Sequence, residues 1–143
     1  MITVARRHRR GAQAVEFAML APVLVMLTGG VVDYSWYFSE RQTVIAAARD
    51  GARAGAIVDS EYDGTPCSVA AASTQEALTA SGLALDADGE ISVRTVSLGG
   101  GDLAIEVEID IAYTALMGLI PTPDRQVVKS VQRLEDQLNA SCG

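Results

Sequence analysis

Residues 17–32 are sixteen consecutive positions without a charged side chain, and this run limits the fold more than any other feature of the sequence. A helix on the surface of a globular domain shows a polar face every turn; this run shows none, so a helix formed from it needs apolar surroundings on all sides. By itself it would rise only about 24 Å, against a bilayer hydrocarbon core of about 30 Å. If Arg10 marks one membrane face and Tyr34 the other, the 23 residues between them rise about 34 Å, which suits a slightly tilted span. Glu16, Asp33 or both then lie within the membrane or at its edge. An ionisable side chain at that depth is costly, and it marks a functional position by default.

Charge orders the chain around this run. Arg6, Arg7, Arg9 and Arg10 precede it, whereas from Glu40 onward sixteen acids face seven bases, a net of −9. The positive-inside bias puts the amino terminus in the cytoplasm and exports the acidic remainder, and an acidic exported region is a poor match for nucleic acid. A cleavable secretory signal would have a shorter apolar core and a small-residue cleavage site. Here the run is followed by Asp33-Tyr34-Ser35-Trp36-Tyr37-Phe38, whose aromatics read as an interfacial belt. The two cysteines, Cys67 and Cys142, both fall in the exported part. An oxidising compartment allows a bridge between them, and two separate free thiols are the alternative.

The basic leader ending in Gly11, followed by Ala12-Gln13-Ala14-Val15-Glu16-Phe17 and an apolar helix, resembles the processing site of the type IV prepilin class. More closely, "RGAQAVEFAMLAPVLVML" together with "AAARDGARAGA" at residues 46–56 resembles the TadE-like pseudopilins of tight-adherence (Flp-type) pilus systems. The resemblance is specific over residues 9–56 and loose beyond them; Asp50 stands where relatives often carry Glu. It implies a membrane-embedded prepilin peptidase that cuts on the cytoplasmic side between Gly11 and Ala12, making Glu16 and Phe17 the fifth and sixth residues of the mature chain. It also implies a bacterial inner-membrane protein with other pilins or pseudopilins and the pilus assembly machinery as partners.

The chemistry of such a site can be read without the family. Glycine before the cut presents no side chain to a protease at the membrane surface and allows an extended backbone beside a helix start. Cleavage would leave an α-ammonium group on Ala12 in or near hydrocarbon, where an unpaired charge is expensive. Glu16, one helical turn away, is placed to pair with the amino terminus of its own or a neighbouring chain, and in a filament the second choice sets axial register. The plainer alternative is an interfacial acid that reaches back to water. Pro22 should bend the span, and Gly29-Gly30 offers a flat surface for another helix. Asp33 is expected to snorkel to the outer surface, with pairing to a base of a partner helix as the second reading.

Beyond the membrane, residues 39–56 continue a helix with Val44, Ile45, Ala48, Ala52 and Ala56 as a stripe of small side chains, weakened in its last turns by Gly51 and Gly55. Residues 68–80 read as a second, weakly amphipathic helix lying on the surface and ended by Ser81-Gly82. Leu103, Ile105, Val107, Ile109 and Ile111 alternate with Ala104, Glu106, Glu108 and Asp110, which reads as a strand with one buried and one acidic face. Residues 90–97 supply a partner strand through a turn at Gly99-Gly100-Gly101-Asp102. An extended segment at 125–133 would set Arg125, Lys129 and Arg133 against the acidic face.

The expected architecture is α+β and pilin-like: a cytoplasmic leader (1–11), a transmembrane helix (12–38), and an extracytoplasmic domain (39–143) in which the helix continues onto a small antiparallel sheet. No enzyme activity and no cofactor are expected. The only histidine, His8, lies in the leader, and neither metal-ligand spacing nor a phosphate-binding glycine loop occurs. Two functional classes remain: a minor pilin or pseudopilin of a Tad pilus, and a membrane-anchored protein that binds the pilus or secretion machinery without entering the filament. An exported domain larger than a bare helical pilin needs favours a minor component.

Overall fold

A computed structural model describes residues 6–58, 64–135 and 142, the first five as backbone only. Helix α1 (Arg6–Ala56) and helix α2 (Pro66–Ala80) are followed by strands β1 (Glu90–Gly99), β2 (Asp102–Ala112) and β3 (Arg125–Arg133). The strands form one antiparallel sheet in the order β1-β2-β3, so the architecture is α+β, with a long amino-terminal helix on a small sheet. Contacts divide the chain into two units. One contains the helix as far as Tyr37 together with Ala115–Thr122; the other contains Phe38–Thr114 and the chain from Pro123.

In the second unit α1 buries Val44, Ala47, Ala48, Ala52 and Ala56 against Ile105, Val107 and Ile109 of β2, all three fully buried. The stripe has the expected spacing, and its small side chains allow α2 to come close. A Cβ on Gly51 would overlap Thr74 Oγ1, and one on Gly55 would lie 2.6 Å from the Pro66 carbonyl oxygen and 2.7 Å from both Ala70 Cβ and Ile105 Cδ1. These glycines weaken the isolated helix, but in the fold they are its contact points. Gly55→Ala is therefore expected to lower stability by about 1–3 kcal/mol through overpacking, against the roughly 1 kcal/mol gain that helix propensity alone would give. Denaturant unfolding in detergent measures the sign, and a gain would show that the neighbours yield.

Helix α2 corrects the expectation of a surface helix. Cys67, Ala70, Thr74 and Leu78 are buried at spacings of three and four. The face is hard to recognise in the sequence because it is made of small or weakly polar residues; the one hydroxyl, on Thr74, donates to the Ala70 carbonyl at 2.7 Å and brings no unmet polar group into the core. Thr65 caps the helix by accepting from Ser68 N–H, at 3.2 Å. At the other end Leu83 N–H donates to Leu78 O and Gly82 N–H to Thr79 O, both at 3.0 Å, the double bond pattern of a Schellman stop.

β1 and β2 meet at Gly99↔Asp102 around a Gly100-Gly101 connection with both φ angles positive, as a two-residue hairpin of matching twist requires. On the face away from the core, Lys129 lies opposite Glu108 with Nζ 2.9 Å from Oε2, while Arg125 reaches diagonally to Asp110 at 2.8 Å and Arg133 to Asp102 at 3.0 Å. Arg94, directly across from Glu106, pairs with it as well. Bases flank the acidic strand on both sides, one side more than the sequence had indicated. The hydrogen bond to Asp110 pushes the Arg125 pKa further up. At the inner end of β3, buried Gln126 donates to Glu40 at 3.4 Å, and burial raises the Glu40 carboxyl pKa.

Cys67, in the first turn of α2, is bonded to Cys142, 75 positions further along the chain, with the two Cα atoms 5.3 Å apart. Cys142 lies beside β1, where the Thr95 hydroxyl is 3.1 Å from its sulfur. The last described stretch of the domain also returns to the helix, since Glu135 N–H donates to the Ala56 carbonyl at 3.0 Å.

Candidate functional site

The amino-terminal unit holds the residues of the proposed processing motif. α1 starts at Arg6 and runs through Gly11, so the glycine lies inside a helix and not in extended chain before one. The reason is local: the arginines of the leader are good helix formers, and one glycine costs only about 1 kcal/mol. A peptidase would have to unwind this turn, and glycine makes that easier than any residue except proline. A Cβ at Gly11 would meet nothing within 4 Å, and Ala12, Glu16 and Phe17 are exposed on the helix that follows. Ala12 and Glu16 stand one turn apart on this continuous helix.

Apolar side chains surround the helix beyond Glu16. Phe17, Met19, Leu20, Val23, Leu24 and Leu27 are each more than half exposed, which in water would be an unusually large apolar surface. Among the described residues this is the one helix long and apolar enough to cross a membrane. The helix passes through Pro22 without ending. Thr28 and Ser35 return their hydroxyls to the carbonyls of Leu24 and Val31, at 2.8 and 2.7 Å, so neither presents an unmet donor on the apolar surface.

Asp33 departs from both expectations. It neither snorkels nor awaits a base from another helix: it is completely buried, and its two carboxylate oxygens accept backbone N–H groups of the β2–β3 connection, Oδ1 from Met117 at 2.7 Å and Oδ2 from Leu119 at 3.1 Å. Gly118, between these donors, has φ +65°. This left-handed residue turns two nearly successive amides toward one anion, the geometry of a backbone nest. Gly29-Gly30, read as a surface for another helix, is covered by the same segment. A Cβ on Gly29 would overlap Leu119 Cδ1, and one on Gly30 would lie 3.4 Å from Ile120 Cγ2. The segment was missed because it reads as a loop between strands. Its available signal was the uncharged run over residues 111–123, with Leu116, Met117, Leu119 and Ile120 around one glycine, in a connection too long for a hairpin.

Comparison with known protein families finds a likeness over the amino-terminal part of the chain. Residues 11–53 match the TadE-like protein family. The matched stretch starts at Gly11, contains Glu16, Phe17, the apolar run, Gly29-Gly30 and Asp33, and ends in the small-residue stripe of α1. No curated protein and no solved structure matches the chain.

Proposed function

We propose that this chain is a minor pilin or pseudopilin of a Tad (Flp-type) pilus, held in the bacterial inner membrane by residues 12–38 and processed by a prepilin peptidase between Gly11 and Ala12. The amino terminus is cytoplasmic and the α+β domain extracytoplasmic. The observation that carries this reading is the TadE-like helix itself. An unobstructed Gly11 is followed by an exposed Glu16 one turn beyond Ala12, and then by an apolar surface on every side. Its role is structural and not enzymatic: the helix docks among other pilin helices, with Glu16 facing a neighbour's new amino terminus.

The other reading is a protein that stays in the membrane and uses its acidic domain to bind the pilus machinery, and the acidic sheet face gives it little support. Asp102, Glu106, Glu108 and Asp110 are already paired with bases of the same sheet, and this favours the pilin reading.

Processing tests the proposal directly. The mature chain is expected to begin at Ala12 in mass spectra of the membrane form, and Gly11→Val should leave the precursor intact, because a branched side chain obstructs the cut and stiffens the backbone. A mature protein that retains Met1, or processing of Gly11→Val at the normal rate, would refute the assigned site. Immunoblots of sheared pili and of membranes then distinguish a filament subunit from a resident of the membrane.

A further inference from the structure

Ala115–Thr122 is an apolar segment of irregular backbone clamped to the upper part of the span. Taking Tyr34 as the outer membrane face, Asp33 lies about 1.5 Å below it and Gly29 about 7.5 Å below it along the helix axis. The segment covers the helix at these levels through Leu119 and Ile120, yet much of its apolar surface stays open: Leu116, Met117 and Leu119 are 61, 58 and 46% exposed. An open apolar groove of about 280 Å³, lined by Leu24, Val25, Thr28, Gly29, Val32 and Met117, continues from the segment onto the bare helix. Thr28 brings no unmet donor to the groove, since its hydroxyl donates to the backbone.

We propose that Ala115–Thr122 is a second membrane element, a short loop inserted in the outer leaflet beside the span, whose exposed side chains and adjoining groove are filled by lipid acyl chains. Several observations select lipid as the occupant. The surface is continuous with the apolar face of the candidate span and at the same depth, and no charge occurs from Ile111 to Pro123. Irregular backbone near hydrocarbon needs its amides satisfied by protein, and an acid there needs donors. The Asp33 clamp meets both demands at once, for Met117 and Leu119 N–H and for the carboxylate. An acid in this position is otherwise a liability in the span; here it is what holds the loop down.

The proposal rests on the reading of residues 12–38 as a membrane span, and one experiment separates the two. The full chain, with Trp36→Phe to remove the native fluorophore, is reconstituted in phosphatidylethanolamine/phosphatidylglycerol vesicles with and without lipids brominated on their acyl chains. A single tryptophan is introduced by Leu24→Trp to report on the span or by Leu116→Trp to report on the loop; both positions are exposed, so neither change crowds the fold. Bromolipid is expected to remove a large part of the emission at both positions, while aqueous iodide quenches neither. Adding Asp33→Asn, which keeps the size but loses the bidentate anion, should cut bromolipid quenching at 116 and open it to iodide, leaving 24 unchanged.

Quenching at 24 but iodide access at 116 in the otherwise unaltered chain would overturn the inserted loop and leave the span intact. No lipid quenching at 24 would overturn the span and the loop together. Protection at 116 from both quenchers would mean that another copy of the chain covers the loop, and would overturn lipid as its occupant. Full bromolipid quenching at 116 despite Asp33→Asn would overturn the clamp.

Discussion

Glu16→Ala is expected to be cleaved at Gly11–Ala12 as efficiently as the unaltered chain and then to fail at assembly. In the proposed function the cut requires the glycine and the leader, whereas docking requires a carboxylate opposite a neighbour's α-ammonium group. Removing one partner of a buried ion pair costs about 3–5 kcal/mol, because the other charge is left uncompensated. Recruitment to pilus or assembly complex, measured by crosslinking at equal levels of processed protein, should therefore fall by about two to four orders of magnitude. Glu16→Asp keeps the charge but draws it back by one methylene, and an intermediate loss is expected. An interfacial acid that merely reaches water has no partner to lose, so equal crosslinking by all three proteins would leave Glu16 without a docking role.

Loss of the Cys67–Cys142 bridge is expected to have the largest effect on stability. Opening a loop of 75 residues corresponds to about 4.5 kcal/mol in the chain-entropy description, a large share of the 5–15 kcal/mol typical of a whole domain. The core it supports is small, being a stripe of alanines on α1, one face of α2 and one face of a three-stranded sheet. The bridge also fixes the amino end of α2, where Pro66 and Ala70 meet Gly55, so its loss should loosen the closest helix–helix contact first. The double variant Cys67→Ser, Cys142→Ser should unfold at markedly lower denaturant, and reduction of the unaltered protein should bring its midpoint to the same place. A midpoint unmoved by either treatment would show that packing alone suffices.

Much of the domain could be read from the sequence because its signals are local. The alternation from Leu103 to Ile111 specifies both faces of β2 without knowledge of any neighbour, and the spacing of Arg125, Lys129 and Arg133 identifies the strand that complements its acids. Arg94 escaped notice because a single base carries no period, and only the register of β1 sets it against Glu106. The inward face of α2 escaped for a related reason. Alanine, threonine and cysteine give a faint hydrophobic signal, and their burial depends on Gly51 and Gly55 of another helix leaving room for them.

The amino-terminal unit divides along the same line. A long charge-free run, a basic flank, and Gly11 and Glu16 at fixed offsets are linear features, so the sequence by itself located the candidate span in α1 and the proposed processing motif at its start. What holds Asp33 was decided by the tertiary structure alone. Its donors are 84 and 86 positions away, in a segment that looks like an ordinary connection between strands, and no periodicity links the two. The pairing arises because a carboxylate removed from water must find N–H groups and an irregular loop must find acceptors. Which groups meet is settled only when the chain returns to Gly29-Gly30, where missing side chains let the backbone of Met117 to Leu119 come within reach.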